Sequence, residues 1–288
     1  MGMKIQTIRQ IRLRIQEELR DLYPEAEISA LTNLILKTIF KDLKLHQIHE
    51  GTIEITSENY TAISQIVFEL KKGKPIQYII GHTIFYNCTI EVNSATLIPR
   101  QETEELVDLI IRENPDFRGT ITDIGTGSGC IAIALAANLP GASVTATDIS
   151  AEALETARRN ALINRVNITF LEDDILEKAD KQGISADIIV SNPPYIRHSE
   201  KKYMHRNVLE YEPAGALFVD DSDPLKYYRA ILTRAEKWLA SQGKIYFEIN
   251  EALGCEMSEL MNLSGYSEII VMKDLNGKDR IVKGRKNG

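Results

Sequence analysis

Between residues 120 and 249 short apolar runs alternate with helix-length amphipathic stretches, and this alternation constrains the fold more than any other feature of the chain. Residues 120–124, 143–148, 166–171, 186–190 and 243–248 have the β-branched, apolar character of strands, and residues 129–138, 151–164 and 224–240 have helical spacing. Parallel strands need crossover connections of about a dozen residues or more, which the intervening helices supply. The expected class is α/β, a Rossmann-like and mainly parallel sheet covered by helices on both faces. Residues 267–272 and 279–284, divided by Leu275-Asn276-Gly277, predict a closing pair that adds an antiparallel strand.

A different pattern precedes this region. Ile5, Ile8, Ile11, Ile15, Leu19 and Leu22 predict a helix over 4–22 that ends before Pro24. Ile28, Leu31, Leu34, Ile35, Ile39 and Leu43 mark a second, and Ser57 is placed to cap a third over 58–72. The expected organisation is a small N-terminal helical bundle over 1–75, a linker over 76–98, and an α/β domain over 99–288. The linker contains two short strands, 85–92 and 95–98, turning at Asn93-Ser94.

The chemistry gathers at the carboxyl end of the expected sheet. Gly125-Thr126-Gly127-Ser128-Gly129 follows the first strand, where missing side chains let a ligand approach the backbone. The loop differs from the dinucleotide fingerprint GxGxxG, because its third glycine comes one residue early. Asp148 ends the second strand, where it can accept from the ribose hydroxyls of an adenosine group. Asp173 and Asp174 follow the third strand as acceptors for an adenine amino group, with Ile175 beside the ring; capping of a helix is the competing account of these acids. After 186–190, Ser191-Asn192-Pro193-Pro194-Tyr195 leaves the sheet, since two prolines supply no N–H groups for pairing. The bend offers carbonyl acceptors, a side-chain amide and an aromatic face to a planar NH2 group, although a strand-ending turn with an Asn cap would use the same residues. Arg100, Glu102 and Arg197 are further candidates for the cleft, and the acids after Pro99 also suit the positive end of a helix dipole.

A net charge of −7 argues against a general nucleic-acid-binding surface. Cys88, Cys130 and Cys255 lack the spacing of a zinc site or a disulfide framework, and the histidines show no ligand pattern, so a reducing compartment and no metal are expected. No apolar run reaches the roughly 18 residues that a membrane span requires.

With residues 123–136 reading DIGTGSGCIAIALA, an acid at 148 and SNPPY at 191–195, the chain resembles the class I S-adenosylmethionine-dependent methyltransferases. Residues 75–81, 97–107, 210–217 and 279–285 are similar to the HemK/PrmC family, the peptide chain release factor glutamine methyltransferases. It departs from the family at Gln101, where a second proline is common, and at Ile175, where relatives place an aromatic residue. The resemblance implies S-adenosylmethionine as cofactor and S-adenosylhomocysteine as product. It assigns cofactor binding to Gly125, Thr126, Gly127, Ser128, Gly129, Asp148, Asp174, Ile175 and Asn192, and catalysis to Asn192, Pro193, Pro194 and Tyr195. Within it the Asn192 oxygen and the Pro193 carbonyl accept from the substrate NH2, and the Tyr195 ring packs on the amide plane. The implied substrate is the glutamine of the Gly-Gly-Gln motif of class I release factors, engaged by the N-terminal helical domain of a cytoplasmic monomer that binds no nucleic acid directly. Adenine amino-group methylation of DNA or RNA, glutamine methylation of a ribosomal protein, and a non-catalytic scaffold remain alternatives.

Overall fold

Thr7 opens the first helix reciprocally with Gln10: its hydroxyl accepts from the Gln10 N–H at 3.4 Å, and Gln10 Oε1 accepts from the Thr7 N–H at 2.9 Å. The computed structural model describes residues 7–41, 44, 46, 52–177 and 184–288, which divide into two units, Met1–Gly81 and His82–Gly288. In the first unit, α1 (Ile8–Leu19), α2 (Glu25–Ile39), α3 (Ser57–Lys71) and α4 (Ile76–Ile80) bury Ile8, Ile11, Ile15, Leu19, Ile35, Leu36 and Leu70 in a common core. The first helix is shorter than its periodicity predicts, because Leu22 lies in an exposed turn ahead of Pro24. Residues 4–6 and Leu43 lie outside the described residues. The third helix is capped by Thr56, whose hydroxyl accepts from the Asn59 N–H at 3.1 Å, and Ser57 is its first helical residue.

The second unit opens with a hairpin that corrects the sequence expectation. Its strands are β1 (His82–Phe85) and β2 (Cys88–Glu91), and the turn is Tyr86-Asn87, not Asn93-Ser94. Tyr86 and Asn87 both take positive φ, 45° and 64°, as a tight two-residue hairpin turn requires. The Tyr86 N–H donates to Glu104 at 2.6 Å, which holds the turn against α5 (Gln101–Glu113). Asn93 does make a turn, accepting the Ala95 N–H on its side chain at 2.9 Å, but residues 95–98 form no strand after it.

The remaining elements run β3 (Thr120–Ile124), α6 (Cys130–Asn138), β4 (Ser143–Asp148), α7 (Ala151–Ile163), β5 (Ile168–Glu172) and β6 (Ala186–Ser191). Short elements follow: β7 (Ile196–Arg197), α8 (Arg206–Tyr211), α9 (Ala214–Leu217) and β8 (Phe218–Val219). The chain closes with α10 (Lys226–Trp238), β9 (Leu239–Glu248), α11 (Gly254–Leu263), β10 (Tyr266–Lys273) and β11 (Asp279–Lys286). Seven strands form one sheet in the order β10-β11-β9-β6-β3-β4-β5, parallel except for β11, which pairs antiparallel with both neighbours. The expected mainly parallel sheet with an antiparallel closing strand is therefore present. β9 begins earlier than predicted, and its pairing with β6 shifts register between Ala186 and Ile188, with Gln242 at φ 63°.

The chain order reverses around β3, which pairs with β4 on one side and β6 on the other. Register places Ile124 opposite both Thr147 and Ser191, so three strands finish level and their loops emerge side by side. The Ser191 hydroxyl donates to the Ile124 carbonyl at 2.6 Å and locks two of these ends together. Beneath them Tyr228 meets Phe247 edge-on at 5.3 Å, within a core that also buries Ile189, Ile231, Trp238 and Met257.

Candidate active site

A cavity of about 490 Å³ opens where the strand order reverses, outside the carboxyl ends of β3, β4 and β6. Gly125, Thr126, Gly127, Ser128, Asp148, Asp174, Ile175, Asn192, Pro193, Pro194 and Arg100 all reach its wall. Gly129, Tyr195, Glu102 and Arg197 do not.

The glycines separate by role. Gly125 and Gly127 take φ of +73° and +55°, and a Cβ on either would meet nothing within 4 Å, so the backbone borders open space. Gly129 at φ +82° instead faces α7, where a Cβ would approach Ala157 Cβ to 3.0 Å. It serves the packing of α6 on α7, as the third glycine of a nucleotide-binding loop does.

Asp148 braces the loop. Its two oxygens accept the Gly127 N–H at 2.8 Å and the Ser150 N–H at 2.9 Å, leaving lone pairs for a diol. Burial raises its pKa, and these N–H groups pull it back down. Both acids after β5 reach the cavity wall; Asp173 is buried and paired with Arg234 at 3.5 Å, and Asp174 accepts the Leu176 N–H at 2.9 Å in a local turn. Ile175 lines the cavity and packs on the core behind it. Burial pushes the Cys130 thiol in this wall up to about 12, which makes it a neutral apolar surface at physiological pH.

On the opposite rim, Asn192 Nδ2 donates to Thr103 Oγ1 at 3.2 Å, turning its Oδ1 away from that contact. Tyr195 follows a different direction from its prolines: its ring packs against the buried core and its hydroxyl donates to Glu248 Oε1 at 2.9 Å. Arg197 is engaged by Glu200, its N–H donating at 2.7 Å, and Arg100 Nη2 donates to buried Glu212 at 2.6 Å. Sequence reasoning missed Thr103, Glu212 and Glu248 as partners of the site. Glu248 did carry a signal, a carboxylate ending the apolar run Ile245-Tyr246-Phe247.

The chain matches the model for the methyltransferase small domain over residues 101–214. Among solved structures, a methyltransferase from Pyrococcus furiosus aligns with a TM-score of 0.51 at 19% identity, covering 81% of this chain and 100% of that one. A ribosomal protein L11 methylase from Lactobacillus delbrueckii subsp. bulgaricus aligns at 0.50 and 22% identity, covering 69% and 86%. Fold and site together define an S-adenosylmethionine-dependent methyltransferase. A release factor glutamine methyltransferase from Flavobacterium psychrophilum is 44% identical over 96% of this chain and 98% of its own length, and one from Bacteroides thetaiotaomicron is 46% identical over 93% and 96%. The chain belongs to the release factor glutamine methyltransferase family.

Proposed function

We infer that the protein methylates the side-chain amide nitrogen of the glutamine in the Gly-Gly-Gln motif of class I peptide chain release factors, acting in the cytoplasm as a monomer. The observation that carries the reading is that Asn192 and Pro193 share one cavity with Asp148 and Asp174 in a chain so similar to named release factor glutamine methyltransferases. No helix among the described residues is long and apolar enough to cross a membrane. The residues present fit the cofactor: open backbone at Gly125 and Gly127, acceptors at Asp148 and Asp174, and an apolar side chain at Ile175 on the same cavity wall. When bound, S-adenosylmethionine supplies an electrophilic methyl group and leaves as S-adenosylhomocysteine.

The protein's task is to make a poor nucleophile reactive, because an amide nitrogen shares its lone pair with its own carbonyl. Asn192 Oδ1 and the Pro193 carbonyl accept the two N–H bonds, which favours a pyramidal nitrogen and aims its lone pair across the cavity. As nitrogen bonds carbon, positive charge grows on it, and the same two acceptors stabilise that charge until one N–H proton passes to solvent water. Pro193 and Pro194 keep the acceptors in place, since neither φ is free to turn. Tyr195, tied to Glu248 behind the rim, anchors the bend from below.

The test is incubation with methyl-labelled S-adenosylmethionine and, in separate reactions, a class I release factor, the same factor with its Gly-Gly-Gln glutamine replaced by alanine, ribosomal proteins, and oligonucleotides. Label is expected on the intact release factor alone. Label confined to ribosomal protein or oligonucleotide would overturn the assignment.

A further inference from the structure

Behind Asn192 lies a buried carboxylate that the transfer chemistry does not touch. Glu248 ends β9 with 1% of its surface exposed, and each of its oxygens accepts one hydroxyl: Oε2 from Thr103 at 2.7 Å and Oε1 from Tyr195 at 2.9 Å. Thr103 stands in the first turn of α5, is itself buried, and is the group to which Asn192 donates. Burial raises the Glu248 pKa, while both hydroxyls and the Arg280 charge oppose that rise.

Hydrogen-bond polarity along this line is not free. Both hydroxyls donate to Glu248, so the single Thr103 hydroxyl proton is committed to that carboxyl group. What Thr103 then offers Asn192 is a lone pair, and only the NH2 end of the Asn192 amide can meet it. The amide oxygen is thereby turned to the opposite side. An Asn amide held by apolar contacts alone has two nearly isosteric orientations, and one of them would set N–H against the N–H groups of an incoming substrate.

We infer that Glu248 and Thr103 are positioning residues whose one-way hydrogen bonds fix the Asn192 amide with its oxygen towards the acceptor NH2 group. The proposal rests on the reading of Asn192 as an acceptor, and it would serve any planar NH2 substrate, so it does not depend on the release factor.

Thr103→Val removes the hydroxyl at nearly constant volume. It is expected to lower kcat by about 10- to 100-fold, with KM and the dissociation constant for S-adenosylhomocysteine moving less than about twofold. Thr103→Ser restores the hydroxyl and should recover the rate to within about threefold of the unaltered protein. Glu248→Gln, which can both donate and accept, also lowers kcat, and combined with Thr103→Val it should cost no more than Thr103→Val alone, because both changes release the same amide. In 15N NMR spectra the Asn192 side-chain amide signals should shift and exchange faster with solvent in Thr103→Val, and return with Thr103→Ser. Turnover by Thr103→Val within about twofold of the unaltered protein, or losses that multiply in the double variant, would sink the relay. Should Thr103→Val fail to fold, the isosteric Glu248→Gln decides by the same kcat and amide readouts. If the unaltered protein leaves release factor unlabelled, the functional assignment falls, yet the Asn192 signals still decide the relay: no change in them overturns it.

Discussion

Asp123 is fully buried at the end of β3, just ahead of the glycine loop; its Oδ2 accepts the Thr126 hydroxyl at 2.6 Å, and the Ala132 N–H also acts on the carboxyl group. Burial pushes its carboxyl from 3.8 up to about 7, against the pull of the Thr126 hydroxyl and the Ala132 N–H. Between these values the folded protein holds a proton that the unfolded chain releases. The stabilisation is therefore complete below 3.8 and is lost as pH rises through about 7. Asp123→Asn should remove that part of the slope: denaturant titrations from about pH 4 to pH 8 should show a smaller loss of unfolding free energy with rising pH than in the unaltered protein. Equal slopes would mean that Asp123 is ionised throughout. The neighbouring glycines illustrate how far local sequence reaches at this scale. Their spacing marked a ligand loop, but that Gly129 serves Ala157 while Gly125 and Gly127 border the cavity depends on where α7 packs.

At the scale of elements, the cavity has two walls that are remote in sequence. Leu97, Pro99 and Arg100 precede α5, and Pro213, Gly215 and Ala216 lie at α9. Glu212 joins them, accepting the buried Ile98 N–H at 3.2 Å and Arg100 Nη2 at 2.6 Å. Glu212→Ala strands the Ile98 N–H and should cost about 1.5–3 kcal/mol of stability, a modest figure because Arg100 is partly exposed and can recover water. Hydrogen exchange of residues 97–100 should quicken in Glu212→Ala, and less so in Glu212→Gln, which keeps an acceptor for Ile98. Unchanged exchange would show that apolar packing alone holds this wall. The hairpin teaches a related lesson. Asn93 carried a genuine turn signal, and its side chain does accept the Ala95 N–H, but the strand-joining turn formed at Tyr86-Asn87 where Glu104 receives the Tyr86 N–H. Turn chemistry identifies bends; a partner from another element decides which bend closes a ladder.

For the whole molecule, cofactor occupancy and stability are linked, because a ligand that binds only the folded state stabilises it. S-adenosylhomocysteine at 100 times its dissociation constant should add about 2.7 kcal/mol, seen as a rise in the thermal midpoint. Asp148→Asn keeps one acceptor oxygen but replaces the other with a donor, against both the loop N–H groups and the diol, so at the same ligand concentration the rise should largely vanish. A full rise in that variant would remove Asp148 from the cofactor site. The sequence by itself determined the main alternation of strands and helices over 120–249, the mainly parallel sheet with its antiparallel closing strand, and the end of that sheet where glycines, acids and the double proline accumulate. It could do so because periodicity, glycine and proline act through the backbone within a few residues. Tertiary structure alone decided which polar groups meet: Asp173 with Arg234 beneath the cavity wall that it shares with Asp174, Tyr195 turned inward, and Thr103 joined to Glu248 across 145 residues. Such pairs depend on the register of distant elements, and a buried side chain takes whichever partner the packing brings within about 3 Å.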